Sequence, residues 1–412
     1  MGTSAAPRRG LALPTVIAGL LCLPATPAAT APADSLSWVA DITVVDSDDS
    51  NVTVRDGVLR LAETEARALG ARRGGRAGFL VLPPYGLSRE ANRVAARVTS
   101  SVPPSAELAV DVRGKRSGGG WTEWVEARPE APAVLPEPTT TVQVRVLLGA
   151  ESDAAGPELR RLELTADSVP ASRSKPPAEL PERGYTFRVH ATREGLVGGT
   201  TANGHVIQPR DHFAALPSRR GLSPRGHGDY SVQVCADNGR CEWAPVWDVG
   251  PWNTRDDYWN TPDIREMWRD LPHGKPQAQA AHMEGYHGGL DQFGRVVTNP
   301  SGIDLADGTY WDGLKLDENA WVDVTYLWTG YGVFGTVRTF DEPLSTHREP
   351  SLVEETENGM AARAARVPVE CETVGPWVHE GSPTPSNRWL RIGPEHFVAK
   401  AWVTVDGPVV PC

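Results

Sequence analysis

The chain has 412 residues, 40% hydrophobic and 23% charged, with 41 Lys+Arg against 52 Asp+Glu and a net charge of −11. That length exceeds one compact domain of about 100–200 residues, and the acidic balance argues against a nucleic-acid binder. With 41 Gly and 36 Pro, the composition favours short strands and turns over long helices.

Residues 1–33 read as a secretory signal peptide: Arg8 and Arg9 are followed by an apolar run from Leu11 to Leu23 and an Ala29-Thr30-Ala31 cleavage site. No later stretch reaches about 18 uninterrupted apolar residues, so no membrane span is expected. Export to an oxidising compartment explains the cysteines. With Cys22 in the leader, Cys235, Cys241, Cys371 and Cys412 remain, an even number that reads as two disulfides.

Residues 35–167 carry a β-sandwich pattern. Val52 to Leu61 is a hairpin around the favoured Asp56-Gly57 turn, and alternating runs follow at 92–98, 106–112, 141–148 and 159–164. Of Trp121 and Trp124, one is expected in the core and the other over an edge. Residues 168–184 contain four prolines and no periodicity, and read as a linker.

The segment 185–340 holds seven of the 14 tryptophans between Trp243 and Trp321. Between Cys235 and Cys241, the loop Asp237-Asn238-Gly239 with Gly239 left-handed pairs Ala236 with Arg240 and sets the two cysteines opposite each other. Opposed strand residues lie about 4.5–5.5 Å apart, within reach of a disulfide. Cys371 and Cys412 then close the last part of the chain. Residues 253–300 form an insertion. Within it, His282, Glu284 and His287 are metal-like residue types whose spacing does not place them on one helical face, so no metal or cofactor is expected. A linker at 341–366, helix-prone over 354–366, leads to a small unit, 367–412, for which a staple is useful at that size.

The segment's phrases, in order, are Thr201-Ala202-Asn203-Gly204-His205, Ala215-Leu216-Pro217, Asp248-Val249-Gly250-Pro251 and Asp304-Leu305-Ala306 with Trp311 soon after. This order resembles the double-psi β-barrel of rare-lipoprotein-A-like proteins and expansins, over about 130 residues. The resemblance implies a six-stranded barrel with a groove for cell-wall polysaccharide. It places the motif aspartates on Asp248 and Asp304. The chain departs from the transglycosylase-type pattern at His205, where those proteins have Glu, at Gln208, where they have Asp, and at Phe213, where they have His. Residues 367–412, with Trp389-Leu390-Arg391-Ile392 and Phe397-Val398-Ala399, resemble a bacterial Src-homology-3-like wall-binding domain, which implies Trp377 and Trp389 as contacts.

The residue chemistry can be stated on its own. Glycosidic cleavage needs a carboxylic acid held protonated near neutral pH and a second carboxylate as base or stabiliser. Asp248, among Trp247, Val249 and Trp252, suits the first role, and Asp304 or Asp307 the second. Asp248 is equally suited to bonding backbone amides of its own turn. Flat indole faces at Trp252 and Trp311 are expected to stack on sugar rings, with His205 at the rim. These readings predict a mostly β, secreted, wall-associated protein in three modules that binds polysaccharide without hydrolysis. A peptidoglycan-cleaving lytic transglycosylase using Asp248 as general acid is the alternative, and an extracellular protein-interaction module the second. Neither G-x-S-x-G nor H-E-x-x-H occurs.

Overall fold

The computed structural model describes residues 1–2, 35–62, 75–151, 154–170, 183–379 and 381–412. The expected leader, apart from its first two residues, and most of the expected linker lie outside the described residues.

The N-terminal segment forms nine strands: β1 (Leu36–Ala40), β2 (Val52–Arg55), β3 (Val58–Leu61), β4 (Gly75–Val81), β5 (Tyr85–Ser101), β6 (Ala106–Gly114), β7 (Val125–Glu126), β8 (Ala133–Glu151) and β9 (Glu158–Asp167). The long strands β5 and β8 each serve both layers of a sandwich. β5 pairs with β9 on one side, and β8 pairs with β6 and β4 on the other. The period of two along β8 sends Val144, Val146 and Leu148 into the sandwich core. It turns Gln143, Arg145 and Leu147 toward the next segment, and all three are buried there as well.

That next segment is a closed, mixed, six-stranded barrel. Its strands are β10 (Tyr185–Arg193), β11 (Ala214–Leu216), β12 (Ser231–Cys235), β13 (Cys241–Val249), β14 (Ser301–Leu305) and β15 (Ala320–Tyr326). The order is β11-β14-β10-β15-β12-β13, and β11 closes the ring by pairing with β13. β10 runs parallel to β14 and β11 parallel to β13, while the other pairings are antiparallel. This arrangement is compatible with a double-psi barrel. Small and branched side chains fill it, among them Val189, Ala191, Val232, Val234, Ala244, Val246, Ile303 and Val322.

The β12–β13 hairpin forms as its turn chemistry dictates. Gly239 adopts φ 82°, the Ala236 amide donates to the Arg240 carbonyl at 2.9 Å, and Cys235 faces Cys241 in register. The two are disulfide-bonded with 4.1 Å between Cα atoms.

Sandwich and barrel belong to one compact unit spanning Asp34–Cys412. Trp124, 1% exposed, leaves the sandwich and joins the barrel's core cluster, where its indole donates to the Leu222 carbonyl. Beside it, Glu123 accepts from the indoles of Trp259 and Trp328. The Arg145 guanidinium pairs with Asp111 at 2.9 Å and donates to the Arg219 carbonyl. As expected of the pair, Trp121 is the partly exposed partner of Trp124.

The insertion also packs down. It holds one helix, α1 (Gln277–Glu284), and its Tyr258 and Trp259 are fully buried in the barrel cluster. Gly274, at φ 84°, lies so close to Phe187 that a Cβ would sit 2.0 Å from the ring, so glycine is required there.

A C-terminal module follows the barrel. It comprises β16 (Phe334–Val337), β17 (Leu344–His347), β18 (Glu357–Ala361), β19 (Arg366–Pro368), β20 (Cys371–Val378), β21 (Ser386–Gly393), β22 (His396–Ala399) and β23 (Val403–Val405). The helix expected within 341–366 is absent, and a single 3-10 turn at Glu354–Thr356 precedes β18 and β19. β18 runs parallel to β13 and so extends the barrel's own sheet. Gly359 permits this, because a Cβ there would lie 1.9 Å from the Cys241 carbonyl oxygen. Cys371 and Cys412 are disulfide-bonded. No helix among the described residues is long and apolar enough to cross a membrane.

A shared core predicts shared unfolding. Chemical denaturation should show sandwich and barrel melting in one transition, and Trp124→Ala should cost about 3–5 kcal/mol. Two separate transitions in the wild-type chain would contradict the shared core.

Candidate functional site: a carboxyl row on the barrel's outer face

The short strand β11 decides the geometry. Ala215 pairs with Asp248 of β13 on one side and with Asp304 of β14 on the other. Asp304 in turn pairs with Thr192 of β10. Thr192, Asp304, Ala215 and Asp248 therefore form a row across four adjacent strands. Residues flanking Thr192, Asp304 and Ala215 (Ala191, Ile303, Leu305, Ala214 and Leu216) point into the barrel core, so these three point away from it, although Thr192 and Ala215 are still buried. Ala215 offers only a methyl group between the two carboxyls. Two strand spacings put their backbones about 9–10 Å apart.

Each carboxyl has its own surroundings. Asp248 Oδ1 accepts from the amides of Ala202 and Val249, each at 2.7 Å. It thereby fastens the turn 201–205 to the end of β13, the structural role the sequence left open. Asp304 Oδ1 accepts from the hydroxyls of Thr192 and Ser301. Desolvation nevertheless pushes its carboxyl up to about 6, with the charge of Asp248 adding to the shift. Asp307 pairs with Arg193 at 3.0 Å.

A fourth carboxyl was not visible in any motif. Glu194 follows β10 directly, its amide donating to the Leu305 carbonyl. Burial, and then the neighbouring Asp248, Asp304 and Asp307, hold its carboxyl well above the ordinary range. In the sequence it stands two residues after Thr192, in no motif.

The remaining expected residues surround this row in different ways. His205 Nε2 lies 2.6 Å from Asp211, and its ring packs 4.9 Å from Trp247. Phe213 is fully buried. Its neighbour His212 lies 3.0 Å from the buried Glu242 carboxylate. Burial alone would depress the imidazole of His212, but Glu242 outweighs it and holds it above its ordinary value.

Trp311 is 37% exposed, its ring flanked by the guanidiniums of Arg193 and Arg210. Trp252 is half-buried. It packs against the Ala278–Ala281–Val297 cluster of the insertion, and its indole donates to Asn299. Along β14 the two tryptophans bracket Asp304, Trp252 on the Asn299 side and Trp311 on the Asp307 side. Trp243, Trp247 and Trp259 are core.

His282, Glu284 and His287 do not converge. His282 reaches the Val297 carbonyl, Glu284 pairs with Lys275, and His287 reaches the Leu290 carbonyl. Among the described residues, the ligand atoms of Asp46, Asp48 and Asp49 do come within 4.8 Å of one another. Burial pushes Asp48 up to about 7 there, with a bond to Asp46 adding to the effect.

Two clefts of about 350 and 320 Å³ open along the seam between sandwich and barrel. Glu126, Arg219 and Arg255 line the first, and Asp46, Trp121 and His227 the second. Neither cleft is lined by Thr192, Asp304, Ala215 or Asp248.

Residues 185–325 match a family described as "Domain of unknown function (DUF8814)". The match begins with β10 and ends within β15, so it covers the barrel with its insertion. No curated protein and no solved structure matches the chain.

The Asp304 environment has a stability consequence with a definite sign. Between its unfolded value of 3.8 and about 6, the unfolded chain releases this proton before the folded chain does. Stability therefore falls as pH rises through that window. Urea midpoints measured across it should decline less steeply in Asp304→Asn than in the wild type. Parallel profiles would contradict the assignment.

Proposed function

We propose that the barrel is the polysaccharide-binding module of a secreted, cell-wall-associated protein. In this reading it is a double-psi barrel of the rare-lipoprotein-A-like and expansin kind, and it engages glycan without hydrolysing it. The observation that carries the reading is the row Thr192–Asp304–Ala215–Asp248 across four adjacent strands, bracketed by Trp252 and Trp311. Carboxyl and hydroxyl groups in a row match the repeated hydroxyls of a sugar chain, which donate and accept hydrogen bonds. Trp311 offers an aromatic edge at one end, and the net charge of −11 suits an uncharged polymer better than a polyanion.

The two disulfides fit an oxidising extracellular setting. The C-terminal module serves as a second wall contact of the Src-homology-3-like kind. Its Trp377, 55% exposed, is the candidate residue, whereas Trp389 is buried at 1%.

A second reading, glycan cleavage, is favoured by one specific observation. Burial pushes the Asp304 carboxyl up to about 6, which gives it the character of a general acid.

Co-sedimentation with purified peptidoglycan, cellulose and chitin tests the binding reading. The wild-type chain should be retained by at least one of them, and Trp311→Ala or Asp304→Asn should weaken retention about tenfold, roughly 1.4 kcal/mol. No retention on any polymer contradicts it. Release of soluble sugar fragments by the wild type but not by Asp304→Asn would replace binding with cleavage.

A further inference from the structure

The cleft of about 350 Å³ on the seam between sandwich and barrel is walled by guanidiniums. Arg128 comes from the sandwich just after β7, and Arg219 and Arg220 from the 3-10 turn Arg219–Gly221 that follows β11. Arg255 and Arg269 come from the insertion. Five arginines on one cleft are unexpected in a chain of net charge −11.

Three of the five are tied to carboxylates at hydrogen-bond distance. Arg128 meets Glu126 at 2.7 Å, Arg219 meets Glu107 at 3.0 Å and Glu126 at 3.1 Å, and Arg220 meets Asp257 at 2.7 Å. The other two are held loosely or not at all. Arg255 stands 3.4 Å from Glu107, 3.5 Å from Glu266 and 3.9 Å from Glu126, all longer than the ~2.7–2.9 Å of a charge-assisted bond. Arg269 donates through Nε to the Arg265 carbonyl at 2.7 Å, and its terminal nitrogens meet no carboxylate among the described residues. Arg145 lies behind the wall on Asp111, and Glu107 and Asp257 join the lining acids Asp111, Glu126 and Glu266. Six guanidiniums thus stand among five carboxylates, and Arg269 is the surplus.

We propose that this cleft binds an oxyanion, a phosphate or carboxylate group on a small ligand, with Arg255 and Arg269 as the residues that grip it. A guanidinium is planar and presents a fork of N–H donors that matches either group with two parallel bonds. An anion entering the cleft exchanges the long contacts of Arg255 for short ones and gives Arg269 a counter-charge. A volume of about 350 Å³ falls within the ~300–1,000 Å³ typical of small-ligand sites. A polyanion meets the surrounding acids, whereas a single charged group needs only the cleft.

The main chain around the cleft is fixed in advance. Ser218 and Arg255 face each other in an antiparallel bridge. The Asp256 amide donates to the Pro217 carbonyl at 2.8 Å, and the Arg219 amide to the Thr254 carbonyl at 3.2 Å. The Gln292 side chain accepts from the amides of Thr254 and Arg255. Arg269 is oriented by the fully buried Arg265, whose carbonyl takes its Nε–H. Such preorganisation lowers the ordering cost of binding. The cleft shares no residue with the row Thr192–Asp304–Ala215–Asp248, so the anion site goes beyond the glycan reading and does not rest on it.

Arginine Nε–H shift mapping and titration calorimetry on the full chain test this, with inorganic phosphate and citrate as separate probes at low ionic strength, where screening is weak. At least one probe should bind saturably and move the Arg255 and Arg269 signals together; which one does so separates a phosphate ligand from a carboxylate. Arg255→Gln and Arg269→Gln should each weaken that binding at least fivefold. Arg388→Gln, at the exposed pair with Glu372 in the C-terminal module, should leave it unchanged. Saturable binding of neither probe, wild-type affinity in both cleft variants, or equal weakening in Arg388→Gln overturns the proposal. If Arg255→Gln does not fold, Arg269→Gln, which breaks no ion pair among the described residues, still decides. The readout uses no glycan, so retention on polymers and anion binding are judged separately.

Discussion

The three-residue strand Ala214–Leu216 is the constraint on which the barrel and its outer face depend. By pairing with β13 on one edge and β14 on the other it closes the ring, and the same pairings bring Asp248 and Asp304 to either side of Ala215. A register slip of one residue in so short a strand would turn Ala215 inward and separate the two aspartates from their shared neighbour. Two features hold the register. Ala214 and Leu216 are buried in the barrel core, and the Gly250 amide donates to the Leu216 carbonyl at 3.0 Å. Folding and site assembly are thus one event.

The barrel does not stand alone. Sandwich strands β6 and β8 are buried on both faces, and on the barrel side they carry charged residues. Such a seam is unusual because buried charges are tolerated only when paired and bonded. Here Arg145 meets Asp111, and Arg113 meets Asp229 at 2.8 Å, with guanidiniums also lying over the Trp124 ring. The C-terminal module joins through β18, main chain against main chain. All three segments therefore act as one scaffold that presents the carboxyl face.

Local chemistry made part of this legible in the sequence. The Asp237-Asn238-Gly239 turn predicted the Cys235–Cys241 bridge because a hairpin loop fixes its own register. The ordered phrases from Thr201 to Trp311 predicted a six-stranded barrel and drew attention to Asp248 and Asp304. What stayed hidden depends on long-range contact. The stretch from Glu354 to Arg366 is rich in Glu and Ala, and local propensity favours a helix there, yet pairing of β18 with β13 draws it into the sheet. Glu194 belongs to no motif, and its burial among acids arises only when β10, β13 and β14 meet.

The account's central claim is that the outer-face row, and not another surface, is where this protein meets polysaccharide. Amide and indole shift mapping on the isotope-labelled chain, titrated with soluble cello- and chito-oligosaccharides and with peptidoglycan fragments, addresses it most directly. The account predicts that shifts begin at Thr192, Ala215, Asp304 and the Trp311 indole. Shifts confined to the C-terminal module around Trp377, or none with any of these sugars, would contradict it.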